Sequence, residues 1–184
     1  MDTSISLQQA EESNLLPALR RGERWAQKVL YETYYSPLMA VCLRYVSNED
    51  EAMDLLHESF IKIFAKISRY QPGTSLLAWM RRIAVNTAID YYRKSVRRRT
   101  EDLDQAYHLS SKEPDAISRF STREILAAVQ QLTPTYRAIF NLYVIEGYSH
   151  KEIAEQLEIT ESTSRSNLVK ARNKLQKTLM ARGR

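Results

Sequence analysis

Apolar residues recur at helical spacing through most of the chain. Ala52, Leu55, Leu56, Ser59, Phe60, Ile63, Phe64 and Ile67 define one face of a helix predicted over about 49–67. Asn48 and Glu51 are placed to cap its start. Upstream, Trp25, Val29, Leu30, Tyr34, Leu38, Val41 and Leu43 predict a helix over about 23–46, which Pro37 either kinks or divides in two. Gln71-Pro72-Gly73 predicts a turn, because proline presets the first dihedral and glycine tolerates a left-handed second one. A further helix then begins near Thr74 or Ser75 and runs to about 98, burying Leu76, Trp79, Met80 and Ile83. These pieces form a first helical domain, roughly 8–98.

Over 99–121 the periodicity fades into acidic and small polar residues around Pro114, which reads as a flexible linker. About 20 residues reach at most ~70 Å when extended, a span of about 20 base pairs. A second domain over 122–184 follows. Thr133-Pro134 signals a helix entry carrying Tyr136, Ile139, Phe140, Tyr143 and Val144 and ending at Gly147. Ser149 and Glu152 have capping-box spacing and open a short helix through Leu157; Thr160-Glu161 opens the last one. Two helices separated by Glu158-Ile159-Thr160 make a helix-turn-helix. The fold class is therefore all-α, two small helical domains joined by a linker, with four glycines and five prolines leaving little room for many short strands.

Charge sharpens this picture. Lys and Arg outnumber Asp and Glu by 27 to 22, a weak hint of a polyanionic partner, but their distribution says more. Basic residues cluster at Arg93, Lys94, Arg97, Arg98 and Arg99, and again from Arg165 to the end, where no carboxylate intervenes. Acid collects at Glu49, Asp50, Glu51, Asp54 and Glu58, and over 101–115. Such segregation suits a protein that meets DNA with some faces and a basic protein with another. The single cysteine, Cys42, excludes an internal disulfide and a cysteine-based zinc site, and its apolar neighbours make it a small buried hydrophobe. The polar stretch from Met1 to Leu16 lacks the apolar core of a signal peptide, and no run is long enough to span a membrane; a soluble, cytoplasmic protein is expected.

In the last helix Ser164, Leu168, Ala171 and Leu175 share one face, expected to pack on Ile153, Ala154, Leu157 and Ile159. The opposite face presents Ser162, Arg165, Ser166, Val169 and Asn173, with Lys170 and Arg172 at its edges for phosphates. Arg165 has the donors for a guanine edge, Ser166 reads several edges, and Val169 suits a thymine methyl. Basic residues on a helix face are usually only solvated. The capping box, the three-residue turn and the acid-free basic helix together point to DNA instead.

Three stretches resemble the extracytoplasmic-function class of bacterial RNA polymerase sigma factors. AMDLLHESFIKIF from Ala52 to Phe64 resembles that family's core-polymerase-binding helix; LLAWMRRIAVNTAIDYYR from Leu76 to Arg93 resembles its promoter-melting helix. EGYSHKEIA from Glu146 and STSRS from Ser162 match its upstream-element reader. They occur in the family's order along the chain. Departures exist: His57 replaces a usual glutamine, Leu76 a common aromatic, and Glu158, Ser162 and Ser164 a usual Gly, Gly and Val.

The resemblance implies a sigma factor that binds core polymerase, recognises and melts promoter DNA, and is not itself an enzyme. Asp54, Leu55, His57, Glu58 and Lys62 would bind polymerase. Tyr70, Thr74, Arg81, Arg82, Asn86 and Arg93 would hold the melted downstream element, Asn86 through its amide and Tyr70 by stacking on an unpaired base, with Asp90 orienting Arg93 or Arg82. Ser162, Thr163, Arg165, Ser166, Val169, Lys170 and Arg172 would read the upstream element as duplex. Core polymerase and promoter DNA are the implied partners, and an anti-sigma protein is a candidate third; no cofactor and no metal are implied. Two rivals stand beside this. One is a dimeric helix-turn-helix regulator with an amino-terminal sensory or dimerisation domain. The other is an enzyme built on His57, Glu58, His108 or His150, whose spacing fits no metal or acid–base motif.

Overall fold

The computed structural model describes residues 14–101 and 122–182; the predicted linker beyond residue 101 and His108 lie outside them. A short helix, α1, covers 14–20 and buries Leu16, Ala18 and Leu19. It is closed by Gly22, whose φ of 75° suits a residue without a side chain. Helix α2 (Arg24–Tyr45) is continuous through Pro37, so the proline does not divide it. Its buried row is Ala26, Leu30, Leu38, Met39, Val41, Cys42 and Tyr45. Trp25 and Val29, expected in the core, are 52% and 42% exposed. They form the row beside Ala26 and Leu30, and only one of two adjacent i, i+4 rows can face the neighbouring helices. Trp25 instead donates its indole N–H to Glu23 at the exposed helix start. Cys42 is fully buried and burial pushes its thiol up to about 12, so it behaves as the small hydrophobe expected.

Helix α3 (Glu49–Lys66) starts where Asn48 Oδ1 accepts from Glu51 N at 2.8 Å. The Glu51 carboxylate reaches back to Ser47 N at 3.2 Å rather than to the capping residue itself. A 3₁₀ turn (Ile67–Arg69) and the predicted turn at Gly73, φ 93°, lead to α4 (Leu76–Glu101), three residues longer than the predicted 98. Leu30, Leu38, Leu55, Leu56, Ile63, Met80, Val85 and Ile89, from α2, α3 and α4, fill the centre of this first unit.

The second unit begins with α5 (Thr122–Gln130) and α6 (Pro134–Phe140), the latter capped by Thr133 with proline in its first turn. A π turn (Asn141–Ile145) widens the end of α6 before Gly147. Helix α7 (His150–Leu157) carries the complete Ser149–Glu152 capping box, and α8 (Glu161–Arg182) follows the three-residue turn. Glu158 occupies that turn with φ 57°, a left-handed position that glycine fills without strain.

The two units pack on one another. The main apolar cluster runs from Leu16 to Tyr92 and continues through Ala138, Ile139, Leu142, Ile153, Leu157 and Leu168. A smaller one joins Ala128, Val129 and Leu132 of the α5 region to Ala171, Leu175 and Leu179 of α8. At the end of α2 three successive carbonyls accept from the second unit. Gln130 Nε2 bonds Leu43 O at 3.1 Å, Asn141 Nδ2 bonds Arg44 O at 2.6 Å, and Arg137 Nη1 bonds Tyr45 O at 3.3 Å.

Two substitutions calibrate these forces. In urea titrations Leu56→Ala is expected to cost ~2–5 kcal/mol, since it empties a fully buried site. Ser149→Ala, which removes an exposed cap, is expected to cost ~1 kcal/mol.

Candidate protein and nucleic-acid interfaces

The amphipathic pattern of α3 turns its polar face outward and gives the first candidate surface. Asp54 and His57 are exposed, and Glu58 is half-buried beside them. His57 Nε2 and Tyr31 Oη lie 3.3 Å apart with the rings stacked. Lys62 Nζ sits 3.0 Å from Glu58 and 3.1 Å from Asp90. Burial pulls the Lys62 pKa down, but hydrogen bonds to both carboxylates outweigh it and hold the group above its ordinary value. Leu55, which the resemblance places among the polymerase-binding residues, is 1% exposed and belongs to the core, on the apolar face with Ala52 and Ser59. Ile61 is 68% exposed on the same edge as Asp54, His57 and Glu58, and sequence reasoning missed it. The signal was present: an isoleucine outside the buried set of an otherwise well-patterned helix.

On α4, Arg82 and Asn86 are exposed, one turn apart on the polar stripe. Thr74 is exposed in the preceding loop, its hydroxyl donating to Gln71 O at 3.0 Å. Tyr70 is the correction here. It is 5% exposed, donates its hydroxyl to Thr74 O and packs against Trp79 at 5.5 Å, so neither ring face is offered to a base. Asp90 bonds Lys62 and lies 4.0 Å from Arg93; it does not orient Arg82. Arg81 and Arg93 are engaged by the second unit. Arg81 Nη2 donates to Glu146 at 3.0 Å, while Arg93 Nε donates to Gln156 O at 2.7 Å with Glu158 at 3.8 Å.

On α8, Ser164, Leu168, Ala171 and Leu175 are buried as predicted, and Ser162, Arg165, Ser166, Val169, Lys170 and Arg172 are exposed. Val169 is 57% exposed, an apolar side chain held out in a polar face. Arg165 pairs with Glu161 at 3.2 Å across one exposed helical turn. Thr163 is half-buried and its hydroxyl is shared with Thr160 at 2.8 Å, so it acts at the cap.

Sequence reasoning also missed a polar contact inside the helix-turn-helix. His150 Nδ1 and Ser164 Oγ lie 2.9 Å apart, and the imidazole stacks on Tyr143 with centroids 4.4 Å apart. The Arg172 guanidinium lies 5.8 Å from the same tyrosine ring. Burial, and then Arg165, lower the His150 pKa below its ordinary 6.5. The serine that stands where the family usually has valine thus has a partner. A polar residue at a buried helix position was the available sign. His57 and His150 each share a hydrogen bond with one hydroxyl, and among the described residues no three His, Cys, Asp or Glu side chains gather as a metal site. No described helix is long and apolar enough to cross a membrane.

The chain matches two family models, sigma-70 region 2 over residues 30–98 and sigma-70 region 4 over 122–175. The ECF RNA polymerase sigma factor SigX of Bacillus subtilis is 34% identical over 143 residues, 73% of this chain and 74% of that protein. The ECF RNA polymerase sigma-E factor of Haemophilus influenzae is 27% identical over 181 residues, 92% of this chain and 95% of that protein. ECF RNA polymerase sigma factor SigE of Mycolicibacterium smegmatis is 35% identical over 137 residues, and the chain spans about half of it, 53%.

The His150–Ser164 pair makes a two-part prediction. His150→Phe keeps a ring against Tyr143 but strands a buried hydroxyl, and should cost ~1–3 kcal/mol in urea titrations, whereas His150→Phe with Ser164→Val should recover most of that loss. A histidine whose folded pKa lies below 6.5 binds fewer protons folded than unfolded. Its contribution is therefore complete above pH 6.5 and declines as pH falls below it. The double variant should lose that part of the acid sensitivity.

Proposed function

The chain belongs to the extracytoplasmic-function class of RNA polymerase sigma factors, and on that premise we propose which of its faces meets which partner. As a sigma factor it binds core RNA polymerase and promoter DNA and directs initiation, while bond formation falls to the polymerase. The observation that carries the division is a sorting by exposure. Asp54, His57 and Ile61 stand out from α3, Arg82 and Asn86 from α4, and Ser162, Arg165, Ser166, Val169 and Lys170 from α8, each backed by a buried apolar row.

The acidic edge of α3 meets cationic groups on core polymerase, with Asp54 as its free carboxylate and Ile61 as its apolar centre. On α4, the Asn86 amide offers a donor and an acceptor to the edge of an unpaired base, and Arg82 neutralises the adjoining backbone. Contacts made only with melted DNA offset the few kcal/mol of unstacking and let the open complex accumulate. The outer face of α8 enters a major groove, where Arg165 exchanges an exposed ion pair of little worth for a guanine edge. Residues 30–98, within the half where the rival reading puts a sensory or dimerisation domain, match sigma-70 region 2 instead. Function where polymerase resides makes the cytoplasm the expected location.

Reversing charge at both Asp54 and Glu58 (to Lys) should weaken core binding at least tenfold by light scattering or native gel; affinity within error of wild type would make this edge a merely solvated one. Arg165→Ala should lose ~1–3 kcal/mol against the preferred upstream element and relax preference at one position. Lys170→Ala should weaken all sequences alike and flatten the salt dependence. Asn86→Ala should leave binding to duplex upstream DNA intact yet reduce the permanganate reactivity of thymines at the start site.

A further inference from the structure

We propose that His150 is a positioning residue of the upstream-element reader and that it takes up a proton when the reader binds duplex DNA. Its bond to Ser164 fixes the roll of α8, and its charge, once acquired, adds to the cations that face the phosphates. The inference rests on the reading of α8 as the duplex-reading helix, and its test separates the two ideas.

The seam between α7 and α8 is apolar at Ile153, Leu157 and Leu168. Such contacts set the spacing of two helices but carry no direction. The His150–Ser164 bond does carry one. It spans 2.9 Å from the first residue of α7 to the fourth of α8, and Ser164 is fully buried. Ser164 directly precedes Arg165 and stands two before Ser166, so a pin at this point sets where both side chains leave the helix. Valine, usual in the family at this position, would supply contact without direction.

The imidazole is held on a second side. It stacks on Tyr143 with centroids 4.4 Å apart and planes 24° apart, and the Arg172 guanidinium lies 5.8 Å from the same tyrosine centroid. Those distances keep the imidazole and the guanidinium within about 10 Å of one another, about a Debye length at ~0.1 M salt. Phosphates that Arg172 meets therefore act on His150 as well.

This seat tolerates a second proton on the ring. A hydroxyl donates to a neutral Nδ1 and accepts from a protonated one, so the bond to Ser164 survives in both states. The tyrosine face also attracts a cation. The charged and titratable groups facing His150 are Glu161, Arg165 and Arg172 of α8 and Tyr143 of the π turn. On α7 itself Glu152 is engaged with Ser149 in the capping box, and α4 meets α7 at its far end, where Arg93 donates to Gln156 O. In the free chain burial, and then Arg165, favour the neutral ring. Phosphates oppose both, so His150 binds more protons in the complex than in the free chain. Affinity for duplex DNA then rises as pH falls through the pKa of the complex, and levels off once the free chain is protonated too. Each unit by which DNA raises that pKa is worth tenfold in affinity.

The test uses the full chain and a short rhodamine-labelled duplex, selected from a random pool for binding to the wild type. By anisotropy, wild-type affinity should rise at least ~threefold from pH ~8 to pH ~5.5, and the log–log salt slope should steepen by up to ~0.9 at the lower pH. His150→Phe keeps the stack but not the bond; it should bind at least ~fivefold more weakly at pH ~8 and lose preference for the selected duplex over a scrambled one. His150→Asn replaces Nδ1 with an amide that reaches Ser164 but does not titrate. It should recover most of what His150→Phe loses, yet show no rise at low pH. Every other titratable group is common to the wild type and His150→Asn, so the difference in their pH profiles belongs to His150. Coinciding profiles would show that no proton is taken up there. Wild-type affinity and preference in His150→Phe at the higher pH would show that the bond does not position α8. Binding by Arg165→Ala equal to wild type would overturn the proposal through its premise, the reading of α8.

Discussion

The carboxyl end of α2 is the point on which the rest of the structure depends. A helix leaves its last carbonyls without partners, and they must find donors or water. Here Val46 follows in extended conformation, without a glycine to fold the chain back and close the end locally. The donors come from across the molecule: Gln130, Asn141 and Arg137 serve Leu43, Arg44 and Tyr45 in turn. Asn141 opens the π turn that widens α6, and is itself fully buried. One helix end therefore fixes both the start of α3, four residues on, and the seat of the helix-turn-helix domain.

That arrangement sorts the functional faces. The acidic edge of α3 and the outer face of α8 point to solvent, while Arg81 and Arg93 of α4 are drawn into the domain junction. Arg82 and Asn86, between them in sequence, remain open.

What could be read from the sequence was whatever leaves a local or periodic trace. The face of α3, the Thr133-Pro134 entry and the Ser149–Glu152 box are each set by residues within a turn of one another, and all appear where expected. Misplacements arose where two rows of one helix were equally apolar, as with Trp25 and Val29, or where a motif position coincides with the core, as with Leu55 and Tyr70. Contacts made between distant segments leave no period at all. The donation of Asn141 to Arg44 O, the Glu146 pairs and the His150–Ser164 bond join residues 14 to 102 positions apart, and only the folded chain brings them together. Glu158 and Ser164 did mark such contacts from the sequence, as departures from the family pattern whose partners were out of view.

Run-off transcription on genomic fragments with core polymerase from the same bacterium tests the account most directly. Core alone should give no discrete products. Adding this chain should give a limited set of defined start sites sharing an upstream and a downstream element. Products that are absent, or the same with and without the chain, would contradict it.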